Sequence, residues 1–180
     1  MNQYQHHHHN GQSLIEVIIA ATVGILVVSA LTFTTIFSLR NANFAKTSSQ
    51  ATKLAQEGIE RVRTGRDRNS AIINLQIGAD IIDSWNGTSR GTRAFWDNRI
   101  NDTCIPNCYF NVAADGSLQY LDSAAAVPPA AETVGQFKRV VILSDDATNP
   151  NTQKKVTVIV TWTDFTGPHE SRLVTILGKI

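Results

Sequence analysis

Hydrophobic residues are concentrated near the start of the chain, in one run without charges. Residues 17–39 contain no Asp, Glu, Lys or Arg, and thirteen of these 23 residues are Val, Ile, Leu or Phe. A helix of that length spans roughly 34 Å, which is enough to cross the hydrocarbon core of a membrane. Six hydroxyl side chains interrupt the run but can bond back to helix carbonyls: Thr22, Ser29, Thr32, Thr34, Thr35 and Ser38. The run therefore predicts a membrane-length helix.

A second pattern follows Arg40, where apolar residues recur at helical spacing. They lie along one face of a 3.6-residue helix: Phe44, Ala51, Leu54, Ala55, Ile59 and Val62. We therefore expect one helix from about Ser13 to Thr64, with Gly65 as its C-terminal stop. Glu57 and Arg61 stand four residues apart on the side expected to face water. The apolar stripe is expected to pack on the chain's own sheet.

The pattern changes again in residues 65–180, which predict a small globular head. Val156, Val158 and Val160 alternate with residues of the opposite face, which is the period of a strand. Three strands are predicted over Phe137–Leu143, Lys155–Thr163 and Ser171–Leu177, joined by two short connections as an antiparallel meander. Segments 109–113 and 117–121 flank Ala114-Asp115-Gly116 as a hairpin. Residues 70–85 fit helix or strand, and residues 122–135 predict a loop.

These elements together predict an α+β fold. A long N-terminal α-helix packs by its C-terminal half on an antiparallel β-sheet of three to five strands, and its N-terminal half projects free. The chain then divides into a leader at 1–11, a membrane or filament-core helix at 12–40, an amphipathic half at 41–64 and a head at 65–180. The leader holds four histidines, which belong either to an expression tag or to a natural leader, and it is left out of the fold.

Charge points to no particular partner. The net charge is +1 with neutral His, whereas nucleic acid binding normally shows a stronger basic excess. Four arginines cluster at the end of the long helix: Arg61, Arg63, Arg66 and Arg68. A solvated face paired with Glu57, Glu60 and Asp67 is favoured over a DNA contact, because no aromatic residues are interleaved. Nucleic acid as a partner is therefore unsupported by the sequence.

Catalytic and metal-binding patterns do not emerge from the sequence. His169 is the only histidine outside residues 1–11, and the chain has no metalloprotease, nucleophile-elbow or phosphate-binding motif. Residues 144–151 are rich in oxygen ligands, but they lack the spacing of a calcium-binding EF-hand, so an ordinary turn is favoured over a calcium loop. We expect no enzymatic activity, no cofactor and no metal.

The two cysteines, Cys104 and Cys108, are separated by three residues. In an exported domain such a pair predicts a disulfide that closes a small loop. In a cytosolic protein the pair could form half of a metal site, but no second Cys or His pair completes one. The disulfide is favoured on the condition that the head is exported.

The most informative segment is Gly11-Gln12-Ser13-Leu14-Ile15-Glu16-Val17, directly before the apolar run. An acidic residue costs roughly 3 kcal/mol in mid-bilayer and less near a helix end, so it is usually kept for a partner. No basic residue lies within two helical turns of Glu16. Cleavage after Gly11 would create an amine on Gln12, four residues from Glu16. The alternative is that Glu16 belongs to an ordinary signal anchor and reaches the lipid headgroups.

This segment resembles the class III signal of type IV pilins and type II secretion pseudopilins. The resemblance implies that prepilin peptidase cuts after Gly11, that Gln12 becomes the methylated N-terminus, and that Glu16 pairs with the N-terminal amine of a neighbouring subunit. The helix end at 56–63 and the strands at 162–177 are similar to minor pilins of the PilV kind. The resemblance implies other pilin subunits, an inner-membrane assembly platform and membrane lipid as partners.

The chain departs from that family in three places. Most members have Phe where this chain has Gln12, many have a proline midway along the helix, and the leader here has no Lys or Arg. Arg40 and Lys46 follow the apolar run, so the positive-inside rule alone would place the head in the cytoplasm. The signal motif and the cysteine pair favour instead an inner-membrane protein with an extracytoplasmic head, which later enters a pilus or pseudopilus. The resemblance therefore implies a structural subunit of a type IV pilus, of the minor kind. A type II secretion pseudopilin and a signal-anchored binding domain that never polymerises stay open as alternatives.

Overall fold

The structure, a computed structural model, describes residues 13–87, 94–97, 107–121, 125 and 127–180. The first element is helix α1, Ser13–Asp67, which is 55 residues long and confirms the predicted long helix. The chain divides into two compact units, Met1–Lys46 and Thr47–Ile180. We call the second the head unit, and each unit is described by itself.

Helix α1 ends three residues later than predicted, so the assignment of Gly65 as its stop was wrong. The N–H of Ser70 donates to the carbonyl of Gly65 at 2.8 Å, and that of Asn69 donates to Arg66 at 3.1 Å. This pair of bonds is the Schellman arrangement, which requires a left-handed residue after the helix. Asn69 supplies it with φ 52°, because asparagine tolerates this conformation better than most residues.

The described strands of the head unit form one sheet that is mostly antiparallel. The strands are β1 Ala71–Ile77, β2 Asp80–Ser84, β3 Cys108–Val112, β4 Leu118–Leu121, β5 Glu132–Val134, β6 Phe137–Asp145, β7 Gln153–Asp164 and β8 Gly167–Gly178. Their order is β2-β1-β4-β3-β6-β7-β8, with β5 also paired to β6. The α+β class is confirmed. The described sheet exceeds the predicted three to five strands, and β1 pairs with β4 in parallel.

The predicted hairpin and meander are both confirmed. Strands β3 and β4 pair antiparallel around Gly116, whose φ is 85°. Strands β6, β7 and β8 follow one another as antiparallel neighbours. The predicted connection 164–170 was too long, because Asp164 already pairs with Gly167 and only two residues form the turn. The predicted loop 122–135 was partly wrong, because it contains β5.

The head unit buries apolar residues on both faces of the sheet. On one face Ala51, Ala55 and Val62 of α1 join the main core, with Leu54 and Ile59 partly buried against it. The predicted packing of this stripe on the sheet is thereby confirmed within the head unit. Side chains alternate along strands, so the opposite face carries a second cluster: Tyr109, Leu121, Ala131, Val140, Ile142 and Ile159.

Candidate functional site

Glu16 lies in the first turn of α1 and is exposed. The N-terminal end of a helix carries a partial positive charge, which favours a carboxylate at this position. Gly11 and Gln12 lie outside the described residues, so cleavage after Gly11 and methylation of Gln12 stay predictions. Glu16 is thus placed in the first turn of α1, and its pairing with a neighbouring subunit also stays a prediction.

The residues that follow Glu16 expose apolar side chains along the helix. Every residue from 14 to 46 is exposed, and we call residues 14–39 the apolar segment. Its exposed large side chains are Leu14, Ile15, Val17, Ile18, Ile19, Val23, Ile25, Leu26, Val27, Val28, Leu31, Phe33, Ile36, Phe37 and Leu39. Helix α1 is long and apolar enough to cross a membrane.

The threonines of the apolar segment satisfy their hydroxyl groups within the helix. The hydroxyl of Thr22 donates to the carbonyl of Ile18 at 3.0 Å, and that of Thr32 donates to Val28 at 2.8 Å. Thr34 and Thr35 do the same one turn back, as the sequence predicted. A hydroxyl bonded in this way costs less in hydrocarbon than an unbonded one. These threonines are therefore compatible with an apolar surrounding.

The C-terminal part of α1 contacts the sheet through glycines. A Cβ built on Gly65 would lie 2.0 Å from the carbonyl oxygen of Gly116, so the two backbones touch. A Cβ on Gly58 would lie 2.9 Å from a methyl group of Val158. Both glycines are thus needed for close approach, which the sequence alone did not reveal.

A buried arginine also joins α1 to the sheet. Arg139 on β6 is 1% exposed and donates to the mid-helix carbonyl of Leu54 at 3.1 Å. Its guanidinium lies 2.7 Å from a carboxylate oxygen of Glu132 and 3.6 Å from one of Glu57. Arg61 pairs with Glu57 and donates to the carbonyl of Val112 at 3.2 Å. The predicted pairing of Glu57 with Arg61 at four-residue spacing is confirmed, with Glu57 exposed and Arg61 partly exposed.

Three arginines of the cluster at the helix end, Arg61, Arg63 and Arg66, are paired with the predicted carboxylates. Arg63 lies 2.7 Å from Glu60, and Arg66 lies 2.7 Å from Asp67. Arg66 also donates to the carbonyl of Gly178 at 3.2 Å, which holds the end of β8 against the helix. These side chains therefore have structural roles within the head unit.

Cys108 begins β3, is fully buried and is disulfide-bonded. Cys104 lies outside the described residues, so its predicted pairing with Cys108 stays a prediction. A bond at this position would hold the start of β3, one of the central strands of the sheet.

The oxygen-rich segment 144–151 comprises the end of β6 and the turn that follows it, and it contacts a lysine at the start of β7. The ammonium group of Lys154 is fully buried and lies 2.6 Å from a carboxylate oxygen of Asp145 and 2.7 Å from the carbonyl of Pro150. The carboxylate of Asp146 accepts the N–H groups of Thr148 and Asn149, both at 3.0 Å. Asp145 and the carbonyl of Pro150 thus bind a lysine of the protein itself, and Asp146 binds backbone N–H groups of the turn.

His169 belongs to the β7–β8 turn. Its Nε2 lies 2.9 Å from Asp164 and 2.8 Å from the hydroxyl of Thr166, and its ring stacks on Trp162 at 5.3 Å. Hydrogen bonds, chiefly from the Thr166 hydroxyl and with help from His169, lower the pKa of Asp164 to about 2. The arrangement closes the turn.

Comparison of the chain with protein-family models, with curated proteins and with solved structures finds no match. The geometry of α1 and of the head unit therefore carries the functional argument.

Proposed function

We propose that this chain is a subunit of a type IV pilus, of the minor kind, that joins the filament through α1. Prepilin peptidase would cut after Gly11, and Glu16 would then pair with the amine of Gln12 of a neighbouring subunit. The observation that carries the proposal is the division of one helix into an exposed apolar segment that starts beside an acidic residue and a part buried in the head unit.

In this proposal two environments cover the exposed apolar side chains of the segment, one before assembly and one after it. Before assembly it lies in the membrane, where its length matches the hydrocarbon core. In the filament it packs against the same segment of neighbouring subunits, so that lipid contacts are exchanged for helix–helix contacts. The head unit has its own core and does not depend on either environment.

Glu16 would set the axial position of each subunit. A carboxylate and an amine are both costly in an apolar bundle when they are unpaired, and removing one partner of a buried pair costs about 3–5 kcal/mol. A subunit shifted along the axis would leave both groups without a partner. Only the aligned arrangement pairs them, which favours a single register.

Mass spectrometry of the mature protein tests the processing step. We expect the mature chain to begin at Gln12 with a methylated amine. Functional protein that retains Met1 would rule out the proposal and favour a signal-anchored domain.

Replacement of Glu16 tests the assembly step. Glu16→Ala should leave membrane insertion and the thermal unfolding of the head unit unchanged, while incorporation into sheared filaments falls at least tenfold. Glu60→Ala removes the same group from the exposed surface of the same helix in the head unit and should assemble normally. Normal incorporation of Glu16→Ala would contradict the register role.

A further inference from the structure

The two ends of the described sheet differ in how they are protected. Strand β2 at one end has five residues, of which Asp80 and Asp83 are charged. Strand β8 at the other end has twelve residues and pairs with β7 in an unbroken register from Gly167 to Gly178. Proteins usually keep edge strands short, charged or irregular, because a long regular edge offers hydrogen-bonding groups to another strand. Among the described strands, β8 is the long and regular edge, and its charged residues, Glu170 and Arg172, are of opposite sign.

The outward-facing residues of β8 form an ordered pattern. Pro168, Glu170, Arg172, Val174 and Ile176 are all exposed and share one face. The guanidinium of Arg172 lies 3.2 Å from the carboxylate of Glu170 on the same strand. From the start of β8 to its end, this face carries an apolar residue, an acidic residue, a basic residue and then two apolar residues.

This pattern is complementary to itself when it is reversed. In an antiparallel pair centred on Ser171, Glu170 of each strand lies opposite Arg172 of the other, and Pro168 lies opposite Val174. Opposite charges and apolar pairs directly across from each other stabilise antiparallel strands, whereas like charges destabilise them. A shift of two residues would place Arg172 opposite itself and lose this match.

We propose that β8 is a homotypic docking edge, at which the head units of two copies of this chain join their sheets by antiparallel pairing centred on Ser171. The second copy is the occupant that fits, because the charge order of the edge matches its own reversal. A two-fold contact of this kind is isologous, with the same surface on both partners. The proposal uses only residues of the head unit and does not depend on the role proposed for α1.

Charge reversal tests the pairing in the full-length chain in detergent micelles. Glu170→Arg and Arg172→Glu should each weaken self-association at least tenfold, because both cross-strand pairs become like-charged. A mixture of the two variants should associate as strongly as the unchanged protein, since each arginine then meets a glutamate. Energy transfer between donor-labelled and acceptor-labelled chains measures the association. Glu60→Arg reverses an exposed charge away from the edge and should have no effect.

Recovery in the mixture distinguishes pairing between chains from the ion pair within each strand. An intrachain pair cannot be restored by adding a different chain. If the mixture associates no better than either variant alone, or if reversal leaves self-association unchanged, the proposal is overturned.

A disulfide scan tests the register. Ser171→Cys should form a covalent dimer under mild oxidation, because residues directly opposite each other have Cα atoms about 5 Å apart. Thr175→Cys lies on the same face of β8, but its two copies would be about 27 Å apart and should not link. Cys108 is already disulfide-bonded and does not compete. Linking through Thr175→Cys, or failure of Ser171→Cys to link, would overturn the proposed register.

Discussion

Helix α1 is exposed along residues 14–46, whereas residues 47–67 contribute Ala51, Ala55 and Val62 to the core of the head unit. The exposed part is rich in large branched and aromatic side chains, whereas the buried part combines Leu54, Ile59 and Val62 with small residues at its closest contacts, Gly58 and Gly65. Small residues allow a helix to approach a sheet closely, while large exposed ones require lipid or other helices to cover them. Small residues in the second part of α1 thus mark its close approach to the sheet.

The sharpest test of this comparison places the same substitution in both parts of the helix. Gly65→Ala should reduce the free energy of unfolding of the head unit by about 4 kcal/mol, because its Cβ would overlap the backbone of Gly116. Gly24→Ala has open space around its Cβ and should leave the head unit unchanged. Denaturation followed by tryptophan fluorescence reports the head unit, since Trp85, Trp96 and Trp162 are buried there. Equal effects of the two changes would break the comparison.

A charge placed in the apolar segment should affect membrane insertion but not the stability of the head unit. Leu26→Lys should make membrane insertion less favourable by about 3.5 kcal/mol, since a lysine near the bilayer centre is unfavourable and a leucine is favourable. The unfolding of the head unit should not change. Retention in the carbonate-washed membrane fraction measures insertion, and Leu26→Ile serves as the control. Full retention of the lysine variant would show that this segment is not held by hydrocarbon.

The head unit contains a buried ion pair, and removing one partner should lower its free energy of unfolding. Lys154→Ala should destabilise the head unit by about 3 kcal/mol, because Asp145 keeps its buried carboxylate without the ammonium group. Lys155→Ala removes an exposed charge one residue later and should change stability by less than about 0.5 kcal/mol. Urea denaturation of the two variants provides the measurement. Similar midpoints for both would contradict a buried ion pair.

The smallest expected effect concerns protonation in the β7–β8 turn. The pKa of Asp164 lies near 2 in the folded protein and near 3.8 in the unfolded chain, so its contribution to stability is present above pH 4 and is lost as pH falls through 2. Thr166→Val should raise the pKa of Asp164 and flatten this acid dependence. Carbon NMR of the carboxyl group measures the pKa, with Thr163→Val as the control. An unchanged pKa would mean that the hydroxyl is not the main cause.

Sequence patterns predicted the elements that consist of long continuous segments and are joined by short connections. Helix α1 and strand β7 each carry a clear periodicity, and the order of β6 to β8 follows from short connections. Residues 70–85 could not be assigned, because Asn74 has φ 64° and the pairing of β1 with β2 shifts between Ala71 and Leu75. Ile72 and Leu75 are buried three residues apart, which imitates helical spacing.

Contacts between distant segments were not visible in the sequence. Glycine often marks the end of a helix. Gly65 lies instead inside α1, where a side chain would overlap the backbone of Gly116 in the β3–β4 turn. Strand β5 is only three residues long and is held by pairing with β6 and by the contact of Glu132 with Arg139. Glu16 was placed correctly in the first turn, because its position follows from the start of the apolar run alone.

The parallel pairing of β1 with β4 constrains the order in which the head can be completed. Strand β1 directly follows the helix, yet its partner in the sheet begins at Leu118, and β2 then extends the sheet outward from β1. A ribosome delivers β1 and β2 first, and they can form their own hairpin, but a hairpin alone is barely stable in water. The edge of the sheet that is synthesised first is therefore fixed in place only after later strands have emerged, and until then the apolar side chains of Ile72 and Leu75 are not yet covered by the completed sheet.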